Sequence, residues 1–257
     1  MDKIFDGISW KDAGAALLDL AMPRHCVVCR GRLGLREKYI CISCLCDLPL
    51  THFWERTHNP MADKFNERIQ ESIVSEESAF EPYAYAASLF FYNSESPFKH
   101  IPRHLKYERG IRSGRYFSRM LGERLASSGH LSDVDMIIPV SLHWTRRWRR
   151  GYNQAEIIAG AVAEAYFHHP QVRTDILRRS RRTRTQTKVG VEGKSANVSG
   201  AFTVRRQPVL LPVPCHILLV DDTFTTGATL NACREALREC FGPEIRISVA
   251  TLAFVSA

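Results

Sequence analysis

Apolar residues over much of the chain form short continuous runs, and these runs alternate with stretches of helical spacing. Residues 217–220 are apolar at every position, which is typical of a strand buried on both faces of a sheet. Leu230, Cys233, Leu237 and Cys240 follow at intervals of three and four residues, which predicts a helix. The same patterns predict strands near residues 84–92, 134–138, 172–177, 217–221 and 246–253, and helices near 98–107, 111–127, 153–167 and 226–240. This alternation favours a layered α/β fold with a mainly parallel sheet and helices on both faces.

The composition is that of a globular protein. The chain has 257 residues, of which 45% are hydrophobic and 24% are charged, so collagen, low-complexity polymers and fully disordered chains are excluded. No apolar run approaches the ~20 residues that a membrane-spanning helix needs. Asp6, Lys11, Asp12 and Asp19 interrupt the first apolar positions, which makes a poor secretory signal and favours an amphipathic helix. We therefore expect a cytoplasmic protein without a membrane span.

A change of pattern near residue 80 predicts two parts. Residues 1–79 hold a terminal helix, a cysteine-rich segment and a polar connection, whereas residues 80–257 carry the regular α/β pattern. The net charge is +8, and the stretch 99–206 contains 22 lysines and arginines against 8 acidic residues. Such a basic region indicates an anionic partner, with a solvated basic face as the alternative.

Five of the eight cysteines crowd into one short segment. Cys26 and Cys29 form one CxxC pair, and Cys41 and Cys44 form a second pair after eleven intervening residues. Two such pairs suit a structural zinc ion held by four thiolates, with no open position for water. The alternative is a pair of disulfides, which an oxidising compartment would favour. His25 and Cys46 are adjacent substitutes that we interpret as bystanders.

Two acids follow the predicted strand 217–220. Asp221 and Asp222 are succeeded by a loop of small residues and then by the predicted helix. The amino terminus of a helix offers unpaired N–H groups to a phosphate, and carboxylates accept hydrogen bonds from a ribose diol or help to hold a metal. This order predicts a site for a ribose 5-phosphate, with the acids on the diol and the loop on the phosphate. The predicted phosphate-binding residues are Thr225, Thr226, Gly227, Ala228 and Thr229.

The string DDTFTTGAT in this position resembles the phosphoribosyl pyrophosphate (PRPP) motif of type I phosphoribosyltransferases. The resemblance implies that the loop after a second short strand, here near 136–138, handles pyrophosphate. That loop contains four arginines around Trp148, and arginine suits phosphoryl oxygens. We expect Arg150 and Gln154 to contact the ligand, and Asn153 to contact it or to cap the following helix.

A third basic segment, residues 178–188, contains five arginines and no apolar residue. We interpret it as an exposed, mobile loop that serves as a lid over the ligand, as a nucleic-acid contact or simply as a solvated loop. Gln186 in this segment is a further candidate ligand-binding residue.

Several motifs together resemble a narrower family. The four-cysteine segment, the string PVSLHWTRRWRRGYNQA, the spaced residues Arg179, Thr183 and Gln186, the string NVSGAF and the acid-pair loop occur in the order of the ComF family. That family comprises phosphoribosyltransferase-like proteins associated with late competence and DNA uptake in bacteria. The resemblance spans roughly residues 22–254 and implies a type I phosphoribosyltransferase-like sheet preceded by a small zinc knuckle.

Two functions follow as competing hypotheses. In the first, Asp221 and Asp222 position PRPP with Mg²⁺, and pyrophosphate leaves the anomeric carbon under electrostatic stabilisation by arginines. In the second, the fold is a non-catalytic adaptor that holds single-stranded DNA near the DNA-uptake machinery, with Trp148 and Tyr152 stacking on bases. Core packing is the alternative for both aromatic residues. The sequence identifies no nucleobase pocket and no acceptor.

Overall fold

The computed structural model describes residues 22–73, 81–107, 110–180, 200–205 and 215–256. Its helices are α1 (Ile42–Cys46), α2 (Pro60–Ser72), α3 (His100–Tyr107), α4 (Ile111–Ala126), α5 (Trp144–Arg150), α6 (Gln154–Ala163) and α7 (Ala228–Phe241). Its strands are β1 (Ala86–Tyr92), β2 (Met136–Pro139), β3 (Gln171–Val172), β4 (Leu177–Arg179), β5 (Phe202–Val204), β6 (Cys215–Phe224) and β7 (Ile245–Val255). None of the helices in these ranges is long and apolar enough to cross a membrane.

Five strands form one parallel sheet in the order β1-β7-β6-β2-β3. The central strand β6 places Val220 opposite Pro139 of β2 and Ala250 of β7. Because all five strands run in the same direction, their carboxyl ends meet at one edge, where open α/β sheets bind ligands. The acid pair follows Val220 at that edge.

Helices cover the sheet in two groups. Helices α4 and α6 contact each other and the sheet, and α2 and α7 form a second group that contacts the sheet separately. Strand β6 is buried at every position from Cys215 to Val220, as the unbroken apolar run predicts for a strand covered on both faces. The predicted architecture is therefore confirmed: a mainly parallel sheet with helices on both faces and a small four-cysteine module.

The segment after the cysteines packs on the edge strand β1. The backbone N–H of Phe91 donates to Pro49 O at 2.8 Å, and that of Thr51 donates to Leu89 O at 3.1 Å. Helix α2 begins at Asn59, whose side chain accepts bonds from two backbone N–H groups. It buries Phe65 against the core. These contacts tie residues 49–72 to the sheet, and the predicted boundary at 79/80 stays a prediction.

Two elements differ from the predicted ones. The single strand predicted at 172–177 is wrong: β3 joins the main sheet, whereas β4 pairs antiparallel with β5 in a separate ribbon. An ion pair between Arg173 and Asp175 closes the turn that separates them, with Nη2 and Oδ2 2.8 Å apart. The segment after β2 is also not a simple loop, because α5 forms between the cap His143 and Gly151, which ends it at φ +82°.

Candidate functional site

The acid-pair loop lies where β6 passes into α7. The strand continues through Phe224, four residues beyond the apolar run, so both acids sit on extended backbone at the carboxyl edge. Among the residues that the structure describes, no side chain caps the amino terminus of α7. Its first N–H groups are therefore the donors that this part of the fold offers to a phosphate.

Gly227 is required by the shape of this turn. Its φ is +74°, in the left-handed region that favours glycine. A Cβ at this position would lie 2.9 Å from Cζ of Phe224 and 3.4 Å from Cδ2 of Phe65. The two rings are buried, so the neighbouring aromatic core fixes the backbone path of the loop.

The two acids have different surroundings. Lys106, from the last turn of α3, places Nζ 3.0 Å from Oδ1 of Asp222. The backbone N–H of Asp222 donates to Oδ1 of Asp221 at 2.8 Å. Burial, reinforced by the neighbouring charge of Asp222, raises the pKa of Asp221 to about 7. Asp221 is therefore partly protonated near neutral pH.

Two arginines lie near the acids. Arg179 of β4 packs its guanidinium over the Phe202 ring at 5.1 Å, and burial lowers its pKa while the charge of Asp221 opposes that shift. Arg150, at the end of α5, stacks over Tyr107 at 5.2 Å. The charges of Lys106 from α3 and Arg179 from β4 thus act on the acid pair, and Arg150 from α5 lies over the residue that follows Lys106.

The predicted residues of the α5–α6 junction are placed as follows. The Asn153 side chain accepts from the backbone N–H of Ala155 at 3.2 Å and donates to Val140 O at 3.0 Å, so it caps α6. Gln154 is buried and accepts from Arg150 Nη1 at 2.9 Å, and its Nε2 has no hydrogen-bond partner among the described residues. Gln186 lies outside the described residues.

The α5 surface is basic and aromatic. Trp144 is 71% exposed and Trp148 is 86% exposed, one helical turn apart. Tyr152 instead packs into the structure, where its hydroxyl donates to the carbonyl of Leu105. A cavity of about 300 Å³ opens between α5, α6 and β4, and its lining includes Trp144, Arg147, Arg178, Arg179 and Arg205.

Sequence reasoning missed Lys106 as a site residue. Its tripeptide Leu105-Lys106-Tyr107 agrees with the ComF resemblance, but nothing local shows that the ammonium group reaches Asp222, 116 positions later in the chain. Arg179 was predicted only as part of a spaced motif. Its proximity to Asp221 depends on the β4–β5 ribbon, which the sequence pattern did not predict.

The four predicted metal ligands converge at the amino-terminal end of the described chain. One ligand atom from each of Cys26, Cys29, Cys41 and Cys44 lies within 4.8 Å of the others, and the Sγ atoms of Cys29 and Cys41 are 3.7 Å apart. Tetrahedral zinc with Zn–S bonds of ~2.3 Å requires sulfurs ~3.8 Å apart, so the donor set fits this metal. All four thiols are free of disulfides.

Backbone N–H groups support these sulfurs. Val28 and Cys41 each donate to Sγ of Cys26 at 3.4 Å, and Gly31 donates to Sγ of Cys29 at 3.4 Å. Although burial opposes it, this hydrogen bonding lowers the pKa of Cys26 to about 7. A thiolate is the form that binds metal, so the cluster can hold a zinc ion. His25 and Cys46 are not part of the cluster.

Comparisons with known proteins give distant structural likenesses and several sequence relatives. No model of a known protein family matches the chain. The adenine phosphoribosyltransferase of Leishmania tarentolae is 12% identical with a TM-score of 0.30, over 61% of this chain and 74% of that one. Competence protein F of Haemophilus influenzae is 25% identical over 87% of this chain and 94% of that protein. DNA utilization protein YhgH of Escherichia coli K12 is 27% identical over 85% of this chain and 92% of that protein.

Competence protein ComFC of Bacillus subtilis is 27% identical over 40% of this chain and 38% of that protein. The chain is similar in sequence to proteins with these names, which supports its resemblance to the ComF family. The ComF likeness is not confined to one motif, since the Haemophilus match covers 226 residues. It agrees with the motif order in the sequence.

Proposed function

We propose that this protein binds PRPP, or another ribose 5-phosphate, at the acid pair and the loop before α7. The single observation that carries the proposal is the junction itself. Asp221 and Asp222 lie at the carboxyl edge of the central strand, one tight turn before a helix whose amino terminus no described side chain caps. Carboxylates suit the vicinal hydroxyls, and the N–H groups and threonine hydroxyls of 225–229 suit the phosphate.

The surrounding charges favour a pyrophosphate at the anomeric carbon. Arg179 acts electrostatically on Asp221 and Arg150 lies over the Tyr107 ring, and guanidinium groups suit phosphoryl oxygens. Carboxylate oxygens are ligands that magnesium accepts, so Asp221 and Asp222 fit a magnesium complex of PRPP. When bound, the metal supplies charge neutralisation of the leaving group. In a transfer reaction, the bond from C1 to the pyrophosphate oxygen breaks as an acceptor bonds to C1.

We further propose that the cysteine cluster holds one structural zinc ion. Four thiolates complete a tetrahedral shell, so the metal would stabilise the fold of residues 26–44 rather than activate water. Zinc binding by four thiolates requires reduced cysteines, so we propose that the protein works in a reducing compartment, the cytoplasm.

A second candidate function is binding of single-stranded DNA, in the setting of DNA uptake. Relatives named competence protein and DNA utilization protein favour that setting. The specific observation is the α5 surface, where exposed Trp144 and Trp148 lie beside Arg147 and Arg149. Aromatic rings among cations suit a flexible strand because every base can stack and every phosphate can pair.

The test of the proposed function is a thermal shift with PRPP and Mg²⁺. Ligand binding to the native state should raise the melting temperature, and Asp221→Ala plus Asp222→Ala should abolish the rise. Asp47→Ala plus Glu244→Ala is the matched control, because both acids are exposed and lie away from the loop. Equal PRPP stabilisation of the double variant and the wild type would remove the acid pair from the ligand site.

Binding of PRPP and of single-stranded DNA by the acid-pair variant distinguishes the two candidate functions. Single-stranded DNA should bind the acid-pair variant as well as it binds the wild type if the α5 surface is the only contact. Loss of DNA binding together with PRPP binding would instead place both ligands at the acid pair.

A further inference from the structure

The cavity of about 300 Å³ beside α5 lies next to the proposed PRPP site without sharing its acids or its phosphate loop. Its lining contains neither Asp221 nor Asp222, and no residue of the loop 225–229. Arg179 connects the two places, because it lines the cavity and its charge acts on Asp221. Occupation of the cavity can therefore be tested separately from occupation of the acid pair.

The cavity is continuous with the exposed α5 surface and reaches into the protein. Trp144 and Arg147 belong to both, since they lie on α5 and also line the cavity. Trp148 lies one helical turn further along α5 and is exposed. The lining also includes Asn153 and Leu177, which are both buried. A strand that follows the two tryptophans into this cavity therefore reaches a closed end.

Positive charge exceeds negative charge in the lining. Four arginines line the cavity, Arg147, Arg178, Arg179 and Arg205, and the acidic residue of the lining is Glu156. Glu156 pairs with Arg147, whose Nη1 lies 3.1 Å from Oε1 of the acid. Arg178 and Arg205 are exposed, and neither forms an ion pair with an acid among the described residues. Two guanidinium groups of the lining therefore lack a counter-charge at contact distance.

Asp175 lies outside the lining and does not neutralise Arg205. Hydrogen bonds from Arg173 lower the pKa of Asp175, and the charge of Arg205 adds to this effect without an ion pair. Arg173 donates to both carboxylate oxygens of Asp175, each time at 2.8 Å. Because these oxygens already accept bonds from Arg173, the Arg205 guanidinium keeps donors for a ligand.

The phosphate at the end of a strand suits this charge better than a phosphate within the strand. A terminal phosphate monoester carries a charge of about −1.5 to −2 near neutral pH, whereas an internal diester carries a single charge. Arginine presents paired N–H groups that match phosphoryl oxygens, so two guanidinium groups in one cavity favour the more highly charged group. The bases next to such an end would lie beside Trp144 and Trp148, where they can stack.

We propose that this cavity, the end pocket, binds the terminal phosphate of a DNA single strand whose last bases stack on Trp144 and Trp148. Arg178 and Arg205 donate to the phosphate oxygens. The proposal rests on the second candidate function, because it names the part of the strand that the protein recognises. It does not depend on binding of PRPP.

The test measures by calorimetry how a terminal phosphate changes the affinity of the full protein for a short oligothymidylate. The strand carries a phosphate at its 5′ end, at its 3′ end or at neither end. One of the two phosphorylated strands should bind the wild type at least about tenfold more tightly than the unphosphorylated strand, since charge-assisted bonds are gained. The other should bind within about twofold of the unphosphorylated strand, and the difference identifies which end enters the pocket.

Two pairs of substitutions show whether the arginines of the pocket carry this preference. Arg178→Gln plus Arg205→Gln should bring the three strands within about twofold of one another. Arg56→Gln plus Arg112→Gln is the matched control, because both arginines are exposed and lie outside the lining. The control should keep the preference even where the loss of two charges weakens binding of every strand.

Two further variants separate the end pocket from a folding defect and from the PRPP site. Arg178→Lys plus Arg205→Lys keeps both charges and should retain a preference of at least about threefold. Asp221→Ala plus Asp222→Ala should keep the whole preference, because neither acid lines the cavity. Loss of the preference in this acid-pair variant would place the terminal phosphate at the acid pair and overturn the proposal.

The remaining outcomes distinguish the end pocket from DNA binding itself. Equal affinities of the wild type for the three strands, equal tightening by both phosphates, or a preference that survives Arg178→Gln plus Arg205→Gln would overturn the end pocket alone. The second candidate function would then still stand. A wild type that binds none of the strands would reject that function, and the end pocket with it.

Discussion

Lys106 and Asp222 form an ion pair of 3.0 Å between the end of α3 and the end of β6. Burial acts to lower the pKa of Lys106, but attraction to Asp222 and Asp221 outweighs it, so the pKa of the lysine rises. The ammonium group therefore stays charged and neutralises one of the two acids. Under the proposed function, a ribose diol must share Asp222 with this lysine or displace it, which makes the α3 end part of the candidate site.

Gly227 provides a test of the loop geometry. Gly227→Ala should destabilise the protein by roughly 1–3 kcal/mol, because a side chain is strained at a φ of +74° and its Cβ would meet the Phe224 ring at 2.9 Å. Gly160→Ala is the control, because Gly160 lies within helix α6 with no atom within 4 Å of a Cβ. It should stabilise the protein by roughly 0.5–1 kcal/mol. Chemical denaturation measures both effects, and equal effects of the two changes would contradict this geometry.

The titration of Asp221 gives a pH dependence. Its pKa is about 7 in the folded protein, where burial and Asp222 disfavour the charge, whereas an unfolded aspartate titrates near ~3.9. Between these values the folded state holds a proton that the unfolded state has lost, so this group lowers the free energy of unfolding as pH rises.

Asp221→Asn removes that titration. As the pH rises from 5 to 8, the free energy of unfolding of the variant should increase relative to that of the wild type by on the order of 1–3 kcal/mol. Urea denaturation at each pH measures this difference. Asp47→Asn removes an exposed acid and serves as the control, and its free energy of unfolding should follow that of the wild type across the same range. If the free energy of unfolding of Asp221→Asn changes with pH as that of the wild type does, Asp221 does not have the raised pKa that this prediction requires.

The cysteine cluster predicts one zinc per chain in freshly purified protein. Cys29→Ser plus Cys41→Ser should remove the metal and expose residues 26–44 to proteolysis, because metal binding supplies folding free energy. Cys46→Ser plus Cys240→Ser, both exposed and outside the cluster, should leave the metal content unchanged. Elemental analysis measures the zinc content of each protein. Less than half an equivalent of zinc per chain in the wild type, or retention of zinc by Cys29→Ser plus Cys41→Ser, would refute the site.

The tryptophans of α5 test the DNA hypothesis. Trp148→Ala should weaken binding of single-stranded DNA by ~1–3 kcal/mol through lost stacking while the salt dependence stays the same. Phe167→Ala removes a fully exposed aromatic residue outside the basic helix and should have little effect. Fluorescence anisotropy across a salt series measures both the affinity for single-stranded DNA and its dependence on salt. Identical affinities for the two variants would exclude stacking on Trp148.

The sequence predicted the parts of the site that are continuous in the chain. Residues 217–241 contain the buried strand, the acids, the glycine turn and the helix, and each follows from local rules: an apolar run, a positive φ and helical spacing. The cysteine cluster was predictable for the same reason, because two CxxC pairs separated by a short segment have few ways to arrange four sulfurs.

The parts that depend on tertiary contacts were not predictable. Lys106 and Arg179 reach the acid pair only because α3 and the β4–β5 ribbon pack at the carboxyl edge of the sheet. Val172, Ile176 and Leu177 were assigned to one strand from the sequence, and the ion pair between Arg173 and Asp175 that separates β3 from β4 is a side-chain interaction. Helix α5 lacks an apolar stripe, so hydrophobic periodicity gave no sign of it.

The most direct test of the central claim compares ribose 5-phosphate with 2-deoxyribose 5-phosphate by calorimetry, in the wild type and in Asp221→Ala plus Asp222→Ala. If the acids accept bonds from the vicinal hydroxyls, the wild type should prefer the ribose compound by about tenfold or more, since hydrogen bonds to charged groups contribute ~1.5–3 kcal/mol. The double variant should bind both compounds equally through the loop. A wild type that binds the two sugars with equal affinity, or a double variant that keeps the preference, would contradict a ribose-binding role for the acid pair.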